Sequence, residues 1–370
     1  MVRGVAIMPK YLIVLKEKSD LNFLGEFNIS DVELHLDIIL FAHMTRDEAH
    51  KLAEHKMVES IEEDGSDSVD AEDTRHDSAD TTYAFDMMNI SKFHEEGITG
   101  SGFKIAILDT GVQNHTNLKV KSGINVYDSS KPWNADLANS HGTMVAGVIN
   151  AQGVNGELLG IAPDAELHAV RIDDGTGPIN SQTWSSQIAG ISWAVKNGMD
   201  AVNCSFSSRI DSKARKAAFK AAADAGIAIF CSAGNNQPRT DATSNTSRYP
   251  AKYPFTIANA NITSSKERYP TSCIGHGLNF SNGGVSVRLT TTAKHSSEIS
   301  SSYQNGTGTS MSSPATLGIY ILYRQKFGED KDKTLQRMAV NAEPLGDNYW
   351  YGAGLPKYPT ENYMNVQVRG

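Results

Sequence analysis

Apolar residues recur along this chain in strand-like and helix-like patterns, and an acidic stretch divides it. Residues 11–16, Tyr11-Leu12-Ile13-Val14-Leu15-Lys16, form a strand pattern, and residues 32–40 carry apolar side chains mostly at alternate positions. Thr45-Arg46-Asp47-Glu48 reads as a capping box that opens a helix through about Lys56, and residues 58–64 predict another short strand. An acidic stretch rich in Asp and Ser, 65–80, then predicts a linker. Beyond it, strand-like runs at 104–108, 166–172, 200–206 and 227–231 alternate with helix-like segments at 181–197 and 211–225, the second stopped by Gly226. Residues 315–327 are apolar on nearly all sides, which predicts a buried helix. Alternation of this kind predicts an α/β fold with a mostly parallel central sheet, preceded by a small α+β unit.

Composition narrows the function classes. The chain has 370 residues, 39% of them hydrophobic, which is enough for one large domain and a small one. No apolar run approaches the length of a membrane span. The net charge is −8 and the basic residues are scattered, so neither a membrane nor a nucleic acid is an expected partner. The three cysteines, Cys204, Cys231 and Cys273, form no metal-ligand spacing. Cys204 and Cys231 fall in apolar strand-like runs, so buried thiols are expected rather than a disulfide. Both run close to the candidate chemistry below, which suggests sensitivity to thiol reagents.

That chemistry begins at Gly308-Thr309-Ser310-Met311-Ser312-Ser313-Pro314, which sets one serine among small neighbours where the buried helix starts. A serine hydroxyl is a weak nucleophile at neutral pH and needs a base, together with a group that stabilises the oxyanion formed on attack at a carbonyl. Helix N-termini point unpaired N–H groups at such charge, and Pro314 is tolerable only near the helix start. Two partners stand upstream. Asp109 ends the apolar run 104–108, and ligand chemistry in open α/β sheets collects at the carboxyl ends of strands. His141, in Ser140-His141-Gly142-Thr143-Met144-Val145-Ala146-Gly147, opens a helix of small residues that permit close packing. In this scheme Asp109 holds the imidazole tautomer, while His141 takes the proton of Ser310 and returns it to the leaving amine. Asp109-Thr110-Gly111 also fits the loop of an aspartic protease, but that chemistry needs a second carboxylate in a like setting, and no second Asp-Thr-Gly or Asp-Ser-Gly exists. The other ten histidines, His115, His168 and His276 among them, are read as surface or packing residues.

The order Asp, His, Ser is that of subtilisin, and the three blocks together resemble the subtilisin-like serine proteases. A fourth block, Ile229-Phe230-Cys231-Ser232-Ala233-Gly234-Asn235-Asn236, is similar to the family segment whose asparagine amide donates to the oxyanion, which implies that role for Asn235. The resemblance covers nearly the whole chain, with residues 349–355 similar to the segment that closes the family's mature domain. It implies a subtilisin-like three-layer fold over 81–370 and an Asp-His-Ser serine endopeptidase acting on proteins or peptides. It also implies that residues 1–64 are an inhibitory propeptide and folding chaperone, with a maturation site in the linker 65–80. Matching backward from the mature start puts the cut between Asp77 and Ser78; matching forward from the last propeptide strand puts it between Asp70 and Ala71. Both follow an aspartate. The alternative is a non-catalytic protein of this fold whose cleft is held by the N-terminal unit.

Further roles follow from the resemblance. Ser205, Phe206, Ser207 and Ser208 lie where the family has one substrate-pairing strand, and Gly175 and Gly177 are similar to the opposite strand. Ser207 replaces a usual glycine, and Arg248 stands where the family often has another at the floor of the primary pocket. An arginine there implies a preference for Asp or Glu before the scissile bond, at P1; the bland reading turns Arg248 out to solvent. No cofactor is required for the chemistry. Subtilases commonly hold structural calcium in the loop matching 152–158, with Asn155 as a side-chain oxygen ligand, but Asn117 replaces the usual aspartate, which implies a weaker site. Residues 1–9 lack the apolar core of a secretory signal. A cytoplasmic monomer is therefore expected, with secretion as the alternative toward which a propeptide leans.

Overall fold

The computed structural model describes residues 8–68, 83–135, 140–174, 181–236, 244–295 and 298–360. A seven-stranded sheet forms the centre, in the order Leu278–Gly283, Ile257–Ile262, Ala228–Ser232, Ala201–Cys204, Lys104–Asp109, Glu166–Arg171, Val120–Asn125, with every neighbouring pair parallel. Side chains of a strand alternate between faces, and the strand Lys104–Asp109 uses both. Ile105 and Ile107 face a core shared with the helices His141–Asn150 and Thr309–Phe327. Ala106 and Leu108 face a second core shared with the helices Trp184–Lys196 and Lys213–Asp224. Helix, sheet and helix make three layers, as the apolar run 104–108 with no polar alternation anticipated.

The helix boundaries have local causes. Thr183 and Ser212 cap their helices by accepting from Ser186 N–H and Arg215 N–H. Gly226 follows the second helix with φ +92°, a conformation that suits glycine. Thr309–Phe327 is buried from Thr309 through Tyr323 and closes on Gly328 at φ +64°. Pro314 lies inside this helix, and the Ser310 carbonyl that its missing N–H leaves without a helical donor accepts from Ser205 Oγ at 2.8 Å.

Residues 10–63 form a four-stranded antiparallel sheet, ordered Ser30–His35, Ile39–His43, Lys10–Leu15, Val58–Glu63, with one helix, Arg46–Ala53. Thr45 caps that helix, its Oγ1 accepting from Glu48 N–H at 3.3 Å, but the helix ends at Ala53 rather than Lys56. One expectation is corrected here. The alternating run 32–40 is not one strand but a hairpin, reversed by Leu36 and Asp37 at φ +51° and +63°. Neither glycine nor an Asn-Gly pair marks that turn, so the pattern ran straight through it.

This small sheet is apolar on both faces. Tyr11, Ile13, Leu15, Leu40, Ala42 and Leu52 make its own core. Leu12, Val14, Ile39 and Phe41 point the other way and join the large domain's second core beside Ile188, Ile191 and Phe219. Burying each such side chain stabilises by roughly 1.5–3 kcal/mol, so the N-terminal unit is seated on the two helices Trp184–Lys196 and Lys213–Asp224.

Candidate active site

Asp109 is the last residue of its strand, and His141 the first of its helix. The two meet with Nδ1 2.7 Å from Oδ1, at 3% and 1% exposure. Thr110 fixes the pair from two directions: its N–H donates to Asp109 Oδ1 at 2.7 Å, and its hydroxyl accepts from Gly142 N–H at 3.0 Å. A Cβ on Gly142 would lie 2.2 Å from the Gly111 carbonyl oxygen and 3.1 Å from the Asp109 Cβ. Only glycine lets the helix start this close to the strand.

Ser310 is the second residue of the helix Thr309–Phe327, which packs against His141–Asn150, with Met144 and Met311 in one core. Its backbone is tied to the sheet. Ser205 Oγ donates to Ser310 O at 2.8 Å, Asn203 Nδ2 to Ser205 Oγ at 2.8 Å, and Ser313 Oγ to Asn203 Oδ1 at 2.8 Å. Ser310 Oγ lies 3.5 Å from the Ser205 carbonyl oxygen and is 2% exposed.

Asn235 follows the strand Ala228–Ser232. Thr309 holds its amide, the Thr309 N–H and hydroxyl each donating to Oδ1 at 2.8 Å, while the same hydroxyl accepts from Gly234 N–H at 3.3 Å. This leaves the NH₂ as the end of the amide turned away from Thr309. Gly234 sits at φ +109°. Thr309 belongs to the serine motif, and only the fold brings it to Asn235.

Of the residues expected to bind substrate, Ser205, Phe206 and Ser207 are buried beside this centre, and Ser208 exchanges backbone hydrogen bonds with Tyr249 at 2.8 and 2.9 Å. Gly175 and Gly177 lie outside the described residues, as do both candidate cut positions. Arg248 is half-buried, and a Cβ on Gly234 would lie 2.9 Å from its Cδ and 3.3 Å from its Cγ. The stem of the side chain therefore lies against the asparagine loop. A second carboxyl stands near Asp109: Asp173, whose Oδ1 is 3.2 Å from Arg171 Nε, is pushed up to about 6 by burial. Cys204 and Cys231 are free thiols paired in register and wholly buried, and burial pushes the Cys204 thiol well up, which argues against ready reaction with thiol reagents.

The candidate calcium loop is braced by Asn117. Asn117 Nδ2 donates to Leu158 O at 2.8 Å, and its Oδ1 accepts from Gln152 N–H and Val154 N–H at 3.1 and 2.9 Å. An N–H aimed at that carbonyl does not fit a cation there. Asn155 is exposed, in the turn Val154–Gly156. Among the described residues no group of three or more His, Cys, Asp or Glu could hold a metal, and no helix is long and apolar enough to cross a membrane.

Comparison with known proteins gives consistent matches. The model of the subtilase family, Peptidase_S8, matches residues 100–354. Subtilisin DY of Bacillus licheniformis is 34% identical over 275 residues, covering 74% of this chain and 95% of its own. Subtilisin E of Bacillus subtilis is 33% identical over 306 residues, 82% of this chain and 77% of its own. Among solved structures, fervidolysin from Fervidobacterium pennivorans, a keratinolytic enzyme related to subtilisin, superposes with a TM-score of 0.79 at 22% identity. That match covers 96% of this chain, which spans 61% of the fervidolysin chain.

Proposed function

This chain belongs to the subtilase family and is a serine-type endopeptidase, and from that premise we propose that it cuts peptide bonds through Asp109, His141 and Ser310 and is made as a self-processing zymogen. Ser310 Oγ attacks the scissile carbonyl and forms the acyl bond, while His141 Nε2 takes the hydroxyl proton and then delivers it to the leaving amine. Water attacks the ester in turn, by the same proton route, and releases the acid. The buried 2.7 Å contact between His141 Nδ1 and Asp109 carries this reading, because it fixes the tautomer and stabilises the imidazolium formed during transfer. Asn235 supplies its amide to the oxyanion, its orientation set by Thr309. No step passes through a metal.

The N-terminal unit, 1–64, is the propeptide, and the catalytic domain runs from 81 to the end with the maturation cut between them. Its support is the separate core of residues 10–63 and the tail Ser66–Ser68 paired onto Ser181–Thr183. The cytoplasmic expectation gains no support from the relatives, and a zymogen's propeptide favours the alternative, export. To test the whole reading, the intact masses of the full chain and its Ser310→Ala variant are followed over time. Wild type losing a fragment ending at Asp70 or Asp77, with the variant staying whole, is the expected result; equal processing of both sinks the nucleophile assignment.

Arg248 favours Asp or Glu at P1, a reading supported by its stem lying against Gly234 beside Asn235. In a peptide panel differing only at P1, the aspartyl peptide is expected to be cut fastest. Faster cutting after Phe and Leu refutes the preference.

A further inference from the structure

The tail Ser66–Ser68 is held by more than backbone pairing. It lies antiparallel to Ser181–Thr183 with Asp67 opposite Gln182, and Trp184 N–H donates to Gly65 O at 2.9 Å. Ser66 is exposed, whereas Asp67 turns inward and is 6% exposed. Around its carboxylate three donors converge. Arg215 Nη1 pairs with Oδ2, Gln187 Nε2 donates to the same oxygen at 3.0 Å, and Trp184 Nε1 donates to Oδ1 at 3.1 Å. Arg215 and Gln187 are fully buried.

The socket is held from behind by the catalytic domain itself. Arg215 Nε donates to the Tyr253 hydroxyl at 3.4 Å, its Nη1 to Gln187 Oε1 at 3.3 Å, and its guanidinium lies 5.6 Å from the Trp184 ring centroid. Every group aimed at the guest is a donor and one is a cation, so an ionised carboxylate fits both oxygens. A neutral amide would set its own N–H groups against them, and an apolar side chain would leave a buried guanidinium without its charge partner.

Its place relative to the chemistry gives the socket a task. Gln182 also bridges to Asp173, and Asp173 follows Arg171, which pairs with Asp109. The edge that carries the tail therefore borders the end of the sheet where the triad stands. An extended chain advances about 3.3 Å per residue, so three residues reach about 10 Å. Three residues after Asp67 in the sequence is Asp70, the earlier of the two candidate cut positions.

We propose that Arg215, Gln187 and Trp184 form an acid-selective substrate subsite for the side chain three residues before P1, so that the enzyme prefers acidic-x-x-Asp peptides and its own Asp67-Ser68-Val69-Asp70 is the first of them. The proposal rests on the endopeptidase reading above and selects Asp70 over Asp77 as the cut. The backbone ladder with Ser181–Thr183 binds any extended peptide, and the socket adds the choice of side chain.

The test uses the full chain after self-processing and a peptide copying residues 64–74, with Asp, Asn, Leu or Lys at the place of Asp67. Expected is cleavage after the residue matching Asp70, with kcat/KM for the Asp peptide roughly 10²-fold above the Asn and Leu peptides, because losing one partner of a buried, hydrogen-bonded charge pair has an effect of that size. In Arg215→Leu the Asp-to-Leu ratio collapses to within a few-fold. Gln187→Leu, which removes one donor and keeps the cation, narrows it less and serves if Arg215→Leu does not fold. Wild type cutting all four peptides within a few-fold of one another, or cutting after any other residue, overturns the subsite and leaves the protease intact. No cleavage of any peptide, with the full chain staying whole, overturns the protease reading and the subsite together.

Discussion

At the scale of single residues, one amide orientation bears directly on the proposed chemistry. The two 2.8 Å contacts from Thr309 occupy the oxygen end of Asn235, so its replacement removes a donor and leaves no new acceptor in the site. Asn235→Ala is expected to lower kcat roughly 10²–10³-fold with KM little changed, against about 10⁶-fold for Ser310→Ala. Steady-state kinetics on one peptide separates the two, and a raised KM with unchanged kcat would make Asn235 a binding residue instead. Gly142 is a second residue whose identity is set by contact, since a Cβ there would push His141 away from Asp109. Its small size was legible in the sequence; the Gly111 carbonyl that demands it was not.

Among elements, the two helices under the N-terminal unit are completed by that unit. Glu62 accepts from Ser212 Oγ, Lys213 N–H and Ala214 N–H at the start of Lys213–Asp224. Asp64 accepts from Ser185 N–H at 3.0 Å and from Ser185 Oγ at the start of Trp184–Lys196. Such caps satisfy donors that the helix cannot, and each contributes about 1 kcal/mol. Docking carries a pH dependence with a definite sign. Burial raises the Asp64 carboxyl, outweighing the two bonds from Ser185 that lower it. A carboxyl raised on docking takes up protons, so its contribution favours docking at low pH and weakens as pH rises from its free value, about 4, through the docked one. In chains kept whole by Ser310→Ala, the Tm of Asp64→Asn relative to its parent is expected to rise over that interval and then level off. A difference independent of pH between 4 and 7 would rule out burial as the cause.

Over the whole molecule, the same sheet of residues 10–63 closes its own core and the outer face of the large domain. Release of this unit in the proposed maturation would bare Leu12, Val14, Ile39 and Phe41 on one side and Arg215 on the other, and so would change both stability and the proposed substrate surface. The expected response to calcium belongs to this scale as well, because it is read as global unfolding. With Asn117 bonding Leu158 O from within, the Tm is expected to be the same with calcium and with chelator. Asn117→Asp loses that donor and is expected to unfold earlier under chelator, regaining stability when calcium is added. A wild-type Tm that falls on chelation would return the cation to the loop.

The sequence by itself determined the parallel α/β class, because buried strands between two helical layers leave unbroken apolar runs such as 104–108, and it singled out Asp109, His141 and Ser310 by their small neighbours, of which the fold joins the first two at 2.7 Å. It misjudged the hairpin at Leu36 and Asp37, whose left-handed turn has no composition to announce it. Arg215, Gln187 and Trp184 lie in two helices that read as ordinary packing elements, 117 to 148 positions from Asp67, and nothing local marks them. Only tertiary structure decided what those residues meet. Charge pairs and caps between distant segments depend on which helix faces which tail, and that is fixed by the burial of both sheet faces rather than by any period along the chain.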